Sequence, residues 1–190
     1  MIRIGILGDI GSGKSYVAKI FGYPVFNADK EVSKLYKNNK KVFNKLKKNL
    51  PKFIYTFPIN KKEISKAILS DKNNLKKIIK IVHSEIRKKL NLFLKKNQSK
   101  KFVILDIPLL LENKIAKKND LLIFVQSKQK DILKRLKKRS NFNAKIIKKF
   151  RNIQLPLDYK KQKSQFIINN KFTNNSVKRD INNILQKITK

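Results

Sequence analysis

The chain has 190 residues, 48 basic and 12 acidic, for a net charge of +36, with 41% hydrophobic residues and a mean hydropathy of −0.48. That length and apolar content suit one domain, 1–190, with room for an inserted subdomain. The lack of cysteine excludes disulfides and thiolate metal sites, and a single histidine excludes a histidine-rich one. Only six basic residues are arginine, and lysine runs through nearly every segment after residue 30 rather than forming one stripe. Lysine-covered solvated faces explain such a charge better than a dedicated nucleic-acid surface. The opening "MIRIGILG" has no basic leader before a long apolar stretch, and the longest apolar run, "FVILDIPLLL", is broken by Asp106 and Pro108. No signal peptide, membrane span or membrane partner is expected, and the default compartment is the cytoplasm.

In chain order, "IRIGIL" reads as a buried strand ending at Gly8, and "KSYVAKIF" as a helix with Val17, Ala18 and Phe21 on one face. "PVFNAD" reads as a short strand running into a loop, and 30–100 as helical, with a break at Pro51 and Pro58. Within that block Leu75, Ile78, Ile79, Val82, Ile86, Leu90 and Phe93 share a helix face. "KFVILD" and "DLLIFVQS" are strong buried strands, "KDILKRLKKRS" and "AKIIKKFRNIQ" helices, "QFIINN" a last short strand and "SVKRDINNILQKIT" a last helix. Strands alternating with helices predict an α/β fold with a parallel sheet, and the long block before "KFVILD" predicts an inserted helical subdomain.

All five glycines lie in the first 22 residues, and three of them fall in "GDIGSGKS", 8–15. This fits the phosphate-loop pattern G-x-x-x-x-G-K-[ST], with an apolar strand before it and an amphipathic helix after it. Glycines let the backbone curl so that successive N–H groups face one concavity, and the helix N-terminus adds partial positive charge. Lys14 would then meet the β- and γ-phosphates, and the Ser15 hydroxyl would ligate Mg²⁺. Asp106 closes a strand, where a second Mg²⁺ ligand is expected, although a cap has the same signature. Asp29 follows a strand in the same way: general base for a kinase, or N-cap of a helix starting at Lys30.

"GDIGSGKS", "NAD" at 27–29, "VHSEI" at 82–86, "DIPLLLE" at 106–112 and "NIQLPLDYK…FIINN" at 152–170 together resemble the dephospho-CoA kinase family, in order and over almost the whole chain. The phosphate loop is generic; D-x-P-L-L-x-E is the specific part. The resemblance implies a P-loop nucleotide-kinase-like parallel sheet flanked by helices, a helical acceptor subdomain at about 30–100 and a small lid at about 134–150. It implies phosphorylation of the ribose 3′-hydroxyl of dephospho-CoA by ATP with Mg²⁺. No specific nucleic-acid partner is expected, and a monomer is favoured, although the sequence does not fix the oligomeric state.

By matching position, the catalytic residues are Asp29 as base, Lys14, and Arg139 as lid arginine, with Arg135 one turn earlier as the lesser candidate. A retained arginine in a lysine-rich chain fits bidentate phosphate binding. Gly11, Ser12, Gly13, Lys14, Ser15, Tyr16 and Asn170 would hold ATP, and Ser15 and Asp106 the metal. Asp29, His83, Pro108, Leu109, Leu110 and Glu112 would meet the acceptor, with ordinary core packing the competing role for the leucines and helix packing or capping for His83. Three positions depart from the family pattern: Asn27 replaces an aspartate, Ser84 a proline, and Lys171-Phe172 a small residue and glycine. Other small-molecule kinases acting on a nucleotide, nucleoside or shikimate-like acceptor share the core, and a basic nucleic-acid-binding NTPase is the alternative from a different class.

Overall fold

The structure is a computed structural model and describes residues 1–139 and 142–189. Its elements are β1 (Ile2–Gly8), α1 (Lys14–Ile20), β2 (Val25–Asn27), α2 (Ala28–Asn38), α3 (Lys40–Asn49), α4 (Lys61–Ser70), α5 (Lys72–Lys96), β3 (Phe102–Asp106), β4 (Leu121–Gln126), α6 (Gln129–Lys137), α7 (Ala144–Arg151), α8 (Leu157–Gln162), β5 (Phe166–Asn169) and α9 (Asn174–Thr189). They divide into two compact units. One comprises Met1–Asn27, Asn97–Phe142 and Ile153–Lys190; the other comprises Ala28–Lys96 and Asn143–Asn152.

The first unit holds a sheet of order β2-β3-β1-β4-β5 in which every pairing is parallel. Parallel neighbours require crossovers, and burial on both faces explains why β3 reads as an unbroken apolar run, "FVILD", with all five residues buried. Ile4, Ile6, Phe102, Ile104, Ile123, Val125 and Ile168 from the strands pack with Val17, Ala18 and Phe21 of the α1 segment and Val177, Ile181 and Ile184 of α9. Each of these valine, isoleucine and phenylalanine side chains contributes about 1.5–3 kcal/mol by leaving water. The sheet follows the sequence reading closely, except that β2 is only Val25–Asn27. The sequence analysis assigned no element to α8, which starts after Pro156.

The second unit is helical. Leu75, Ile78, Val82, Ile86 and Leu90 form the buried stripe of α5, while Ile79 and Phe93, expected on the same face, are only half-buried. The break foreseen at the prolines is real and separates α3 from α4. Asn39 and Asn60 cap those helices, accepting from Val42 N–H at 2.9 Å and Lys62 N–H at 2.9 Å. The buried Glu63 carboxylate gathers the backbone N–H of Tyr55 (3.1 Å) and the hydroxyl of Thr56, closing the proline segment without regular structure. The stretch expected as a lid, about 134–150, is shared: α6 belongs to the sheet unit, α7 to the helical unit, and 140 and 141 lie outside the described residues. No helix among the described residues is long and apolar enough to cross a membrane.

Candidate active site

The chain leaves β1 at Gly8 and enters α1 at Lys14 through the loop that the glycine spacing predicts. Gly13 caps α1 with φ 95°, where a Cβ would collide with the Asn170 amide. Gly11 has φ 88°, and a Cβ there would lie 3.0 Å from both Ile132 and Leu136. Neither position accepts a side chain, which is why glycine survives here. Tyr16 N–H and Val17 N–H both reach Gly13 O at 3.0 Å, so the helix begins tightly. Ser15 is exposed at its first turn, and Tyr16 packs on the sheet core. The Lys14 ammonium donates to Asp9 O (2.8 Å) and Gly8 O (3.2 Å), across the curl of the loop.

The loop is braced from behind. Asn170, 2% exposed, donates its amide to Ser12 O at 2.9 Å and accepts from Phe172 N–H at 2.8 Å. The Ser127 hydroxyl lies 2.9 Å from Ser12 O and 3.0 Å from Asn170 O. Asn170, which family position places beside the nucleotide, therefore commits its side chain to holding Ser12. A cavity of about 250 Å³ adjoins the loop beside β4. Asp9, Asp158 and Lys161 supply its charged lining.

Asp106 ends β3, 3% exposed, directly paired in register with Asn27 at the end of β2. The Asn27 amide donates to Asp106 Oδ2, fixing the carboxylate where two strands meet the loop. A carboxylate and the Ser15 hydroxyl are hard oxygen donors of the kind Mg²⁺ uses alongside phosphates and water. No group of three or more His, Cys, Asp or Glu side chains able to hold a metal occurs among the described residues, so an all-protein cage is not what these residues build. The fit is to a metal held with a nucleotide. Asp29 lies two residues past β2, inside the first turn of α2, which begins at Ala28 and not at Lys30. It is therefore not at the cap position the sequence left open.

After Asp106 the chain turns through 107–115. Leu110 is 1% exposed and packs so closely beneath β1 that a Cβ on Gly5 would lie 2.6 Å from its Cδ2. Leu109 is buried too, with φ 58°, and its carbonyl accepts from Asn113 N–H (3.0 Å) and the Asn113 amide (2.9 Å). Pro108 stays half-exposed. Glu112 forms an ion pair with Lys160 at 2.6 Å, with side-chain exposures of 9% and 3%, and also accepts from Leu155 N–H at 2.9 Å. The pair ties this segment to α8. Sequence pattern gave Lys160 no distinction from dozens of other lysines.

Arg139 is exposed just past α6, whereas the lesser candidate, Arg135, has a defined partner: its guanidinium lies 4.2 Å from the Phe172 ring centroid. His83 is half-buried on α5, and burial together with the Arg87 charge holds its imidazole below the usual value near 6.5. The imidazole is thus neutral at neutral pH.

Comparison with known proteins joins this geometry to a lineage. The family model described as Dephospho-CoA kinase matches residues 2–176. The chain belongs to the dephospho-CoA kinase family. The dephospho-CoA kinase of Wolbachia sp. subsp. Brugia malayi is 32% identical over 98% of this chain and 97% of its own length. That of Rickettsia bellii is 31% identical over 99% and 98%. Among solved structures, TT1252 from Thermus thermophilus superposes with a TM-score of 0.77 at 24% identity, covering 100% of this chain and 98% of its own. The dephospho-CoA kinase from Campylobacter jejuni gives 0.63 at 21%, covering 98% and 96%. These structures share the parallel α/β fold. As a dephospho-CoA kinase the chain is a phosphotransferase, carrying out ATP-dependent phosphorylation of dephospho-CoA to coenzyme A.

Proposed function

We propose that the γ-phosphoryl group passes from ATP, held at 8–15, to the ribose 3′-hydroxyl of dephospho-CoA, with Asp29 as the base. The observation that carries this reading is the glycine-shaped loop at the α1 N-terminus, beside the Asn27–Asp106 pair at the ends of β2 and β3. The N–H groups of Gly11 to Ser15 bind the phosphates, and Lys14 exchanges its carbonyl partners for phosphate oxygens. Ser15 and Asp106 would hold Mg²⁺, which neutralises charge on the β- and γ-phosphate oxygens when bound.

Asp29 is tethered two residues beyond Asn27, a span of at most about 7 Å. As the new O–P bond forms, its carboxylate takes the hydroxyl proton while ADP departs with the electrons of the broken P–O bond. Arg139 meets the charge of the transferring group in a fork. His83, neutral, and Pro108 offer acceptor contacts, while Leu109, Leu110 and the Glu112–Lys160 pair shape their segment from beneath.

The test is kcat/KM for dephospho-CoA, adenosine and AMP at fixed Mg-ATP, with the product mapped by phosphorus NMR. Dephospho-CoA should win by far, because binding energy from its remote parts positions the hydroxyl. Equal conversion of AMP to ADP makes the chain a nucleotide kinase. A phosphate appearing elsewhere than on the 3′-oxygen removes Asp29 from its role. The Asp29→Asn variant should lose about 10²–10⁴-fold in kcat while binding ATP normally.

A further inference from the structure

Helix α6 meets the phosphate loop at three levels. The Ser127 hydroxyl, just before the helix, lies 2.9 Å from Ser12 O. In the first turn, Gln129 Nε2 lies 3.4 Å from Asp9 Oδ2. Ile132 and Leu136, 1% and 2% exposed, then close on Gly11, where an added Cβ would lie 3.0 Å from each of them.

Positions 132, 136 and 139 follow one another at i, i+4 and i+7, which is one face of a helix. The stripe seated on Gly11 therefore continues into Arg139, just past the helix end at Lys137. The Arg139 backbone is held on both sides. Its N–H donates to Leu136 O at 3.1 Å, and its carbonyl accepts from Phe142 N–H at 3.0 Å. One residue, Leu136, thus touches the loop with its side chain and fixes the arginine with its carbonyl. Arg135 is engaged elsewhere, with its guanidinium 4.2 Å from the Phe172 ring centroid.

We infer that Leu136 is a positioning residue, a spacer that sets how far Arg139 stands from phosphates bound on the loop. The inference rests on the catalytic reading of Arg139 above. Close-packed aliphatic contacts resist compression and transmit displacement, so the Gly11–Leu136 contact fixes a distance. A misplacement of about 1 Å at a reacting group costs about 10²-fold in rate. Charge stabilisation works best from a donor that need not reorganise during transfer. Gly11 then has a second reason to be glycine: a side chain there would drive α6, and Arg139 with it, off the loop.

The experiment is steady-state kinetics of the full chain with Mg-ATP and dephospho-CoA. It compares Leu136→Ala, Leu136→Met, Arg139→Ala and the double variant Leu136→Ala/Arg139→Ala. Leu136→Ala should lower kcat by about 10²-fold while KM for ATP stays within about threefold. Leu136→Met, which refills the gap, should recover at least about tenfold of that loss. With Arg139 already removed, Leu136→Ala should cost less than about threefold more, because the spacer has nothing left to place. Additive losses in the double variant, or a KM for ATP that rises in step with the fall in kcat, overturn the inference, since Leu136 would then only support the loop. If Leu136→Ala fails to fold, Leu136→Val carries the same cycle with a smaller gap. Parental kcat in Arg139→Ala removes the catalytic reading of Arg139, and the spacer with it. A large loss in Arg139→Ala beside parental kcat in Leu136→Ala removes the spacer alone.

Discussion

The sheet unit and the helical unit are each held internally by a different kind of polar contact. In the sheet unit the partners are far apart in sequence: Arg3 with Asp120 at 2.9 Å, Asn27 with Asp106, Glu112 with Lys160, Asn170 with Ser12. In the helical unit most are local: Asn39 and Asn60 cap their own helices, and Lys34–Glu31 and Lys88–Glu85 are exposed pairs three residues apart. Surface pairs of that kind contribute little, so this unit depends on its apolar stripes. The sheet unit's contacts thus fix several strands at once, whereas most of the helical unit's act within a single helix.

If that contrast is right, the largest effect comes from breaking a non-local buried pair. Lys160→Met leaves the Glu112 carboxylate unpaired and should cost about 3–5 kcal/mol in urea unfolding, recovered largely by also making Glu112→Leu. A cost below about 1 kcal/mol would erase the distinction between the units. Next, Lys14→Ala should lose about 10²–10³-fold in kcat at an unchanged melting temperature, since its partners are loop carbonyls at the rim. In the helical unit, Asn39→Ala removes one cap and should cost about 1 kcal/mol without altering ATP affinity.

The smallest effect is a pH slope. Burial, then the neighbouring Arg87 charge, keep the folded-state pKa of His83 below 6.5. Below that value the unfolded chain binds more protons than the folded one, so stability is complete above pH 6.5 and falls as pH drops toward the folded-state pKa. His83→Asn should flatten this part of the melting-temperature profile. A profile identical to that of the parent would place the imidazole in solvent.

What the sequence disclosed follows the same division. The phosphate loop was legible because its backbone tolerates only glycine, and β3 because a strand buried on both faces has no polar position. The α5 stripe was legible by its period. The braces were not: Asn170 and Ser12 are 158 residues apart, and nothing local in either marks the other. Helix α8 has six residues, too few to display a period. The cap alternative for Asp29 stayed open because the helix was read as starting at Lys30, two residues late. The contact of Arg135 with Phe172 was not legible either, because the ring lies beyond two further helices and a strand.

The clustering of glycine at the start of the chain has a dynamic consequence. With none left after residue 22, three later bends fall to residues ill-suited to them: Leu109 at φ 58°, Lys114 at 52° and Phe172 at 60°. Such backbone persists only while its surroundings over-determine it, so each bend works like a compressed spring held by neighbouring hydrogen bonds. One of these springs lies inside the signature segment 106–112, a second just after it, and the third lies against the loop at Gly13. When the protein breathes, these bends should let go before the strands around them. Amide exchange would then read as a pair of early openings, at 109–115 and 170–173, set against a nearly silent sheet.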